Sequence, residues 1–93
     1  MTMTRDEAEA LAMRGLAYLA GDADRLARFV ALTGVGPDTM RERIAETSFL
    51  MGVLDHFLGD EAMLVDFAAS IDGAPELVAE ARRALSGKAD GDE

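Results

Sequence analysis

Cysteine is absent from the 93 residues, which excludes disulfide staples, thiolate metal sites and thiol nucleophiles together and suits a reducing compartment. No run approaches the roughly 20 apolar residues of a membrane span. Met1 to Glu9 also lacks a basic stretch leading into an apolar one. Neither membrane insertion nor secretion is therefore expected, and the cytoplasm is the expected compartment. Basic residues are scarce, nine against eighteen acidic ones, for a net charge of −9; such a field repels phosphate backbones at long range. The glycines stand singly rather than clustered after a strand, which leaves no phosphate-cradling loop. Asp22-Ala23-Asp24 opens like a calcium loop, but Arg25 follows, and the glycine and distal glutamate of an EF-hand are missing. Ser48, His56 and Asp60 fall in consecutive helical elements with no elbow to expose a nucleophile. No cofactor, metal site or catalytic set is expected.

What the chain does contain is well-punctuated helix. Thr4 and Glu7 have the capping-box spacing, and helix 1 is expected from about Arg5 to Ala20, with Ala8, Leu11, Ala12, Leu16 and Leu19 as its apolar stripe. Gly21 stops it. Asp22 caps helix 2, whose Leu26, Phe29, Val30 and Thr33 share a face, and Gly34 ends it in a left-handed residue. Pro37 suits the first position of helix 3, because that amide has no intrahelical partner; Met40 and Ile44 form the apolar edge. Thr47 or Ser48 is the expected cap of helix 4. There Phe49, Leu50, Val53, Leu54, Phe57 and Leu58 span so wide an arc that this helix is expected to be the most buried. Asp60 caps helix 5, with Leu64, Phe67, Ala68 and Ile71 inward, and Asp72-Gly73 marks a turn. Pro75 opens helix 6, with Val78, Ala81 and Leu85 toward the core. The expected fold is all-α: a compact bundle of about six short helices forming one domain over residues 1–86, with a disordered acidic tail over 87–93.

Laid on itself with an offset of 38 residues, the chain matches Met13 to Met51, Leu16 to Leu54, Gly21-Asp22 to Gly59-Asp60, Leu26 to Leu64, Phe29 to Phe67, Ala31 to Ala69, Pro37 to Pro75 and Glu42 to Glu80. Shared helical periodicity aligns apolar positions; it does not by itself align the glycine-aspartate corner and the proline. Two pseudo-symmetric three-helix units, about 11–45 and 49–83, are expected, with helices 1 and 4 near the shared axis. Convergent use of common punctuating residues is the alternative.

Charge is unevenly distributed. Residues 49–86 sum to −5, whereas residues 21–48 sum to −1 and hold Arg25, Arg28, Arg41 and Arg43. These four are the candidate partner-binding residues, because a guanidinium makes paired, directional bonds to carboxylates of another protein or of a second copy in a homodimer. Local pairing, Asp24 with Arg28 and Asp38 with Arg41, is the alternative. The segment Leu26 to Ile44 has the outline of a helix-turn-helix bearing Arg41 and Arg43, but Asp38 at the tip of its second helix faces phosphates unfavourably, so nucleic acid is an unlikely partner. His56, beside Asp55 and four residues before Asp60, is one further candidate. A structural or surface role is favoured for it, since a metal requires several converging ligands. The leading functional expectation is a non-enzymatic interaction or regulatory module, and the alternative is a DNA-binding regulator using helix 3.

Glu7 to Leu85 resembles a family of small bacterial proteins known as a domain of unknown function. The likeness lies in Ala10-Leu11, Leu16-Ala17-Tyr18-Leu19, Arg28-Phe29-Val30-Ala31-Leu32-Thr33-Gly34 into Gly36-Pro37, and Val53-Leu54-Asp55-His56-Phe57-Leu58 leading to Asp60-Glu61. The resemblance implies no activity, and singles out the Leu-Asp-His-Phe-Leu stretch for testing.

Overall fold

A computed structural model describes residues 3–86; the expected acidic tail lies outside the described residues. Six helices follow in order: α1 (Arg5–Ala20), α2 (Ala23–Thr33), α3 (Pro37–Arg43), α4 (Thr47–Leu58), α5 (Glu61–Ser70) and α6 (Glu76–Leu85). There is no strand among the described residues, and no helix of the described residues is long and apolar enough to cross a membrane.

Local chemistry sets most of these boundaries. The Thr4 hydroxyl accepts from the Glu7 amide at 3.1 Å while the Thr4 amide donates to Glu7 Oε1 at 2.8 Å, so two orphan donors of α1 are satisfied reciprocally. At the corners after α1 and α4, Gly21 and Gly59 stay right-handed, and the chain turns at Asp22 and Asp60, whose extended backbones cap α2 and α5. Asp22 Oδ1 accepts from the Asp24 and Arg25 amides, and Asp60 Oδ1 from the Met63 amide. Gly34 ends α2 with φ of 75°, a value a side chain resists.

Two boundaries differ from expectation. The residue that caps α4 is Glu46, with no side-chain bond to the helix, while Thr47 lies inside it and accepts from Arg5 Nη2 at 2.7 Å. A long-range partner has thus taken the hydroxyl that the local pattern assigned to the cap. Pro75 stands just before α6 as its cap, not within its first turn. In the Asp72-Gly73 turn it is Asp72 that takes the left-handed conformation, φ 56°. Asparagine and aspartate tolerate that region better than other side chains.

The core joins residues of all six helices. α4 contributes Phe49, Leu50, Val53, Leu54 and Phe57 to it, as its wide apolar arc demands, although Leu58 at its end is exposed. On α2 only Phe29 is buried; Leu26 and Val30 are half-buried and Thr33 is exposed. α1, α4 and α6 pack on one another, α2 lies against α1, and α5 against α4. Where α1 meets α4, Gly15 brings the backbones close: a Cβ there would lie 2.8 Å from Phe57 Cε2 and 3.5 Å from Val53 Cγ1. Phe57 stacks on Phe67 at 4.6 Å between ring centres, and Tyr18 tilts against both.

Contacts at the 38-residue offset are reciprocal in the centre. Tyr18 packs on Phe67 at 5.5 Å, and its counterpart His56 packs on Phe29, the counterpart of Phe67, at 5.1 Å. The correspondence stops at the third helices: α6 runs ten residues and packs on both α1 and α4, while α3 runs seven and packs extensively on no other helix.

Candidate functional site

The corner at Gly59-Asp60 carries α5 past α2, and between them lies an open cleft of about 490 Å³ lined by Arg25, Arg28, His56, Asp60, Met63 and Asp66 among others. A second hollow of about 510 Å³ continues around the corner, sharing Arg28, His56 and Asp60 and adding Leu32 and Glu61. Arg28 and Leu32 stand one turn apart on the outer side of α2, and Leu32 is 68 % exposed.

His56 reaches the cleft from the last turn of α4. Its ring meets Phe29 edge-on and makes no side-chain hydrogen bond among the described residues. Burial lowers its pKa below the usual 6.5, the nearby Arg28 charge lowers it further, and Asp60 opposes them. Folding therefore favours the neutral imidazole. That contribution is fully present above about pH 6.5, the unfolded value, and is lost progressively as the pH falls below it. The expected result is a His56 Hε1 resonance titrating below 6.5 in proton NMR, moving upward in Arg28→Ala. A midpoint at or above 6.5 in the unaltered protein contradicts this placement.

The far end of the cleft is closed by a tie between three helices. The Tyr18 hydroxyl of α1 donates to Asp66 Oδ2 of α5, and Arg25 of α2 lies over the Tyr18 ring at 4.6 Å while reaching Asp66 at 3.4 Å. Burial and the bond to Asp66 hold the phenol in its protonated form and push its pKa to about 12. Such a cation over an aromatic face is worth about 0.5–1 kcal/mol at an exposed site.

Of the four candidate arginines, the structure brings Arg25 and Arg28 to this cleft. Arg41 pairs with Asp38 at 2.6 Å on the exposed side of α3, as its spacing allowed, and Arg43 pairs with Glu46 at 3.0 Å. The expected Asp24–Arg28 pair does not form; Asp22, one turn below, takes Arg25 instead. Arg28 has no ion-pair partner among the described residues. Three of the neighbouring acids are engaged elsewhere: Asp60 caps α5, Asp66 holds Tyr18 and Arg25, and Asp55 accepts from Arg82 at 2.8 Å; Asp24 and Glu61 also line the two hollows, neither within ion-pair distance of Arg28. No group of three or more His, Asp or Glu placed to hold a metal occurs among the described residues.

Tyr18, Met63 and Asp66 were not singled out as site residues from the pattern of the chain. The internal offset gives a partial signal, since it pairs Tyr18 with His56 and Arg28 with Asp66; Met63 has none.

Comparison with curated proteins and with solved structures gives no match. The family model for a protein of unknown function, DUF3572, matches residues 5–88, the whole span of the six helices, and the chain belongs to that family.

Proposed function

We propose that this protein is an interaction module that docks another protein on the face where α2 meets the α4–α5 corner. The observation that carries the reading is the pairing of an unneutralised Arg28 with an exposed Leu32 one turn away, beside a concave surface. A single exposed leucine is ordinary on any protein. An apolar anchor next to a guanidinium without an ion-pair partner is the arrangement that interfaces use, since arginine bonds a partner's carboxylate directionally while the apolar side chain excludes water. The partner chemistry this fits is an acidic segment carrying an apolar residue. Such a partner also has to approach a protein of net charge −9, so the Arg28 guanidinium is the group that sets where it lands. DNA binding through α3 has less in its favour: the helix is seven residues long, Asp38 stands in its first turn, and Arg41 is paired with that carboxylate.

The test is affinity purification of the tagged protein and of Arg28→Glu and Leu32→Asp variants, with nuclease treatment and mass spectrometry. Reversing Arg28 is expected to weaken binding by about tenfold or more, the worth of a charge-assisted hydrogen bond, with helicity unchanged. A nuclease-resistant, stoichiometric protein held equally by all three forms would refute the assignment, as would recovery of nuclease-sensitive material alone.

A further inference from the structure

A separate hollow of about 160 Å³ opens between the end of α2, α3 and the start of α4, lined by Phe29, Val35, Phe49, Gly52, Arg43 and Ser48 together with Thr33. Its apolar wall is buried core: Phe29 and Phe49 meet edge-on at 6.3 Å, and Val35 is buried beside them. Gly52 leaves the space open, for a Cβ built there meets nothing within 4 Å. A volume near 160 Å³ is about that of a cavity that holds one benzene. It is well below the roughly 300 Å³ at which drug-sized and nucleotide-sized ligands begin.

The polar groups on the hollow point to an anion. Arg43 gives only Nε to Glu46, in a surface pair worth at most about 1 kcal/mol. Both of its terminal nitrogens lack acceptors among the described residues, and so does the Ser48 hydroxyl. The Thr33 hydroxyl is by contrast already used, donating to the Phe29 carbonyl and accepting from the Val35 amide. An apolar floor of one-ring size under a guanidinium and a hydroxyl fits a small amphiphilic acid.

We propose that this hollow binds a small monocarboxylate with a compact branched or aromatic tail, the tail against Phe29 and Phe49 and the carboxylate on Arg43 and Ser48. The inference goes beyond the interaction face and stands independently of it, because neither Arg28 nor Leu32 lines this hollow. Ligands of this size bind weakly, in the millimolar range.

The experiment is a titration of the isotope-labelled full chain, followed by amide NMR, with sodium 4-methylpentanoate, with the neutral 4-methylpentan-1-ol, and with sodium acetate. The expected result is saturable shifts centred on Val35, Phe49 and Gly52 with 4-methylpentanoate, binding about three- to tenfold tighter than the alcohol, and none with acetate. Arg43→Gln should bring the acid down to the alcohol's affinity. Gly52→Leu, filling the space, should abolish binding with helicity retained, and Gly52→Ala should weaken it. Absence of saturation, equal affinity of acid and alcohol, or shifts that persist in Gly52→Leu would overturn the proposal.

Discussion

Replacing Phe57 with alanine is expected to lower the free energy of unfolding by about 3–5 kcal/mol, the range for a fully buried phenylalanine. The ring is 0 % exposed. It stacks on Phe67 and touches Tyr18 and His56, so its loss leaves a void bounded by α1, α4 and α5 together. A chain of 93 residues buries only about 60–65% of its unfolded surface and has about 5–10 kcal/mol of stability in all. The substitution therefore removes about half of it, and the midpoint of thermal unfolding should fall by about 15–30 °C. Urea unfolding followed by circular dichroism measures this directly. Leu32→Ala, on the exposed outer side of α2, should shift stability by no more than about 0.5 kcal/mol in the same assay. A Phe57→Ala loss as small as that of Leu32→Ala would mean the aromatic stack is not the centre of the core.

Gly15→Ala and Gly52→Ala should move stability in opposite directions. Both glycines lie inside helices, α1 and α4, where alanine is intrinsically favoured by about 1 kcal/mol. At Gly52 nothing opposes that preference, because the new methyl meets nothing within 4 Å, and a gain of about 0.5–1 kcal/mol is expected. At Gly15 the methyl arrives 2.8 Å from Phe57 Cε2. The ring is fully buried and stacked on Phe67, which leaves it little room to move, so α1 and α4 must part or Phe57 must leave its rotamer, at a cost of about 1–3 kcal/mol. The net expectation is a loss of up to about 2 kcal/mol for Gly15→Ala and a larger one for Gly15→Val. Gly15→Ala combined with Phe57→Leu should lose less than the sum of the two single changes, because the smaller side chain relieves the clash.

Gly15 also shows where the chain was hard to read. Thr4 with Glu7, Asp22, Asp60 and Gly34 act within one turn of themselves, so their spacing along the chain states their roles, and α1 runs between the residues its punctuation marks. The arc of α4 likewise declares its burial, since a helix apolar over so wide a sector has to be surrounded. Close approach at Gly15, by contrast, depends on how two helices cross. The same holds for the Arg5 bond that takes Thr47 from its capping role, for Arg25 reaching Asp66 across the cleft, and for Arg82 reaching Asp55. Helical spacing shows that Arg25, Arg28, Arg41 and Arg43 lie on neighbouring helices. It does not show which find a carboxylate, and that decides between a patch and a set of local pairs. The internal match marks the two aspartate corners, which cap α2 and α5 alike, but not the different placements of α3 and α6, which follow from packing on α1 and α4.

The proposed docking face is the α2 side of the cleft rather than the arginines of α3. It is tested most directly by comparing Arg28→Glu with Arg41→Glu, both verified as folded by circular dichroism, for retention of the stoichiometric partner from the same extract. Arg28→Glu is expected to lose the partner and Arg41→Glu, whose guanidinium is already paired with Asp38, to keep it; loss in Arg41→Glu with retention in Arg28→Glu would contradict this placement of the docking face.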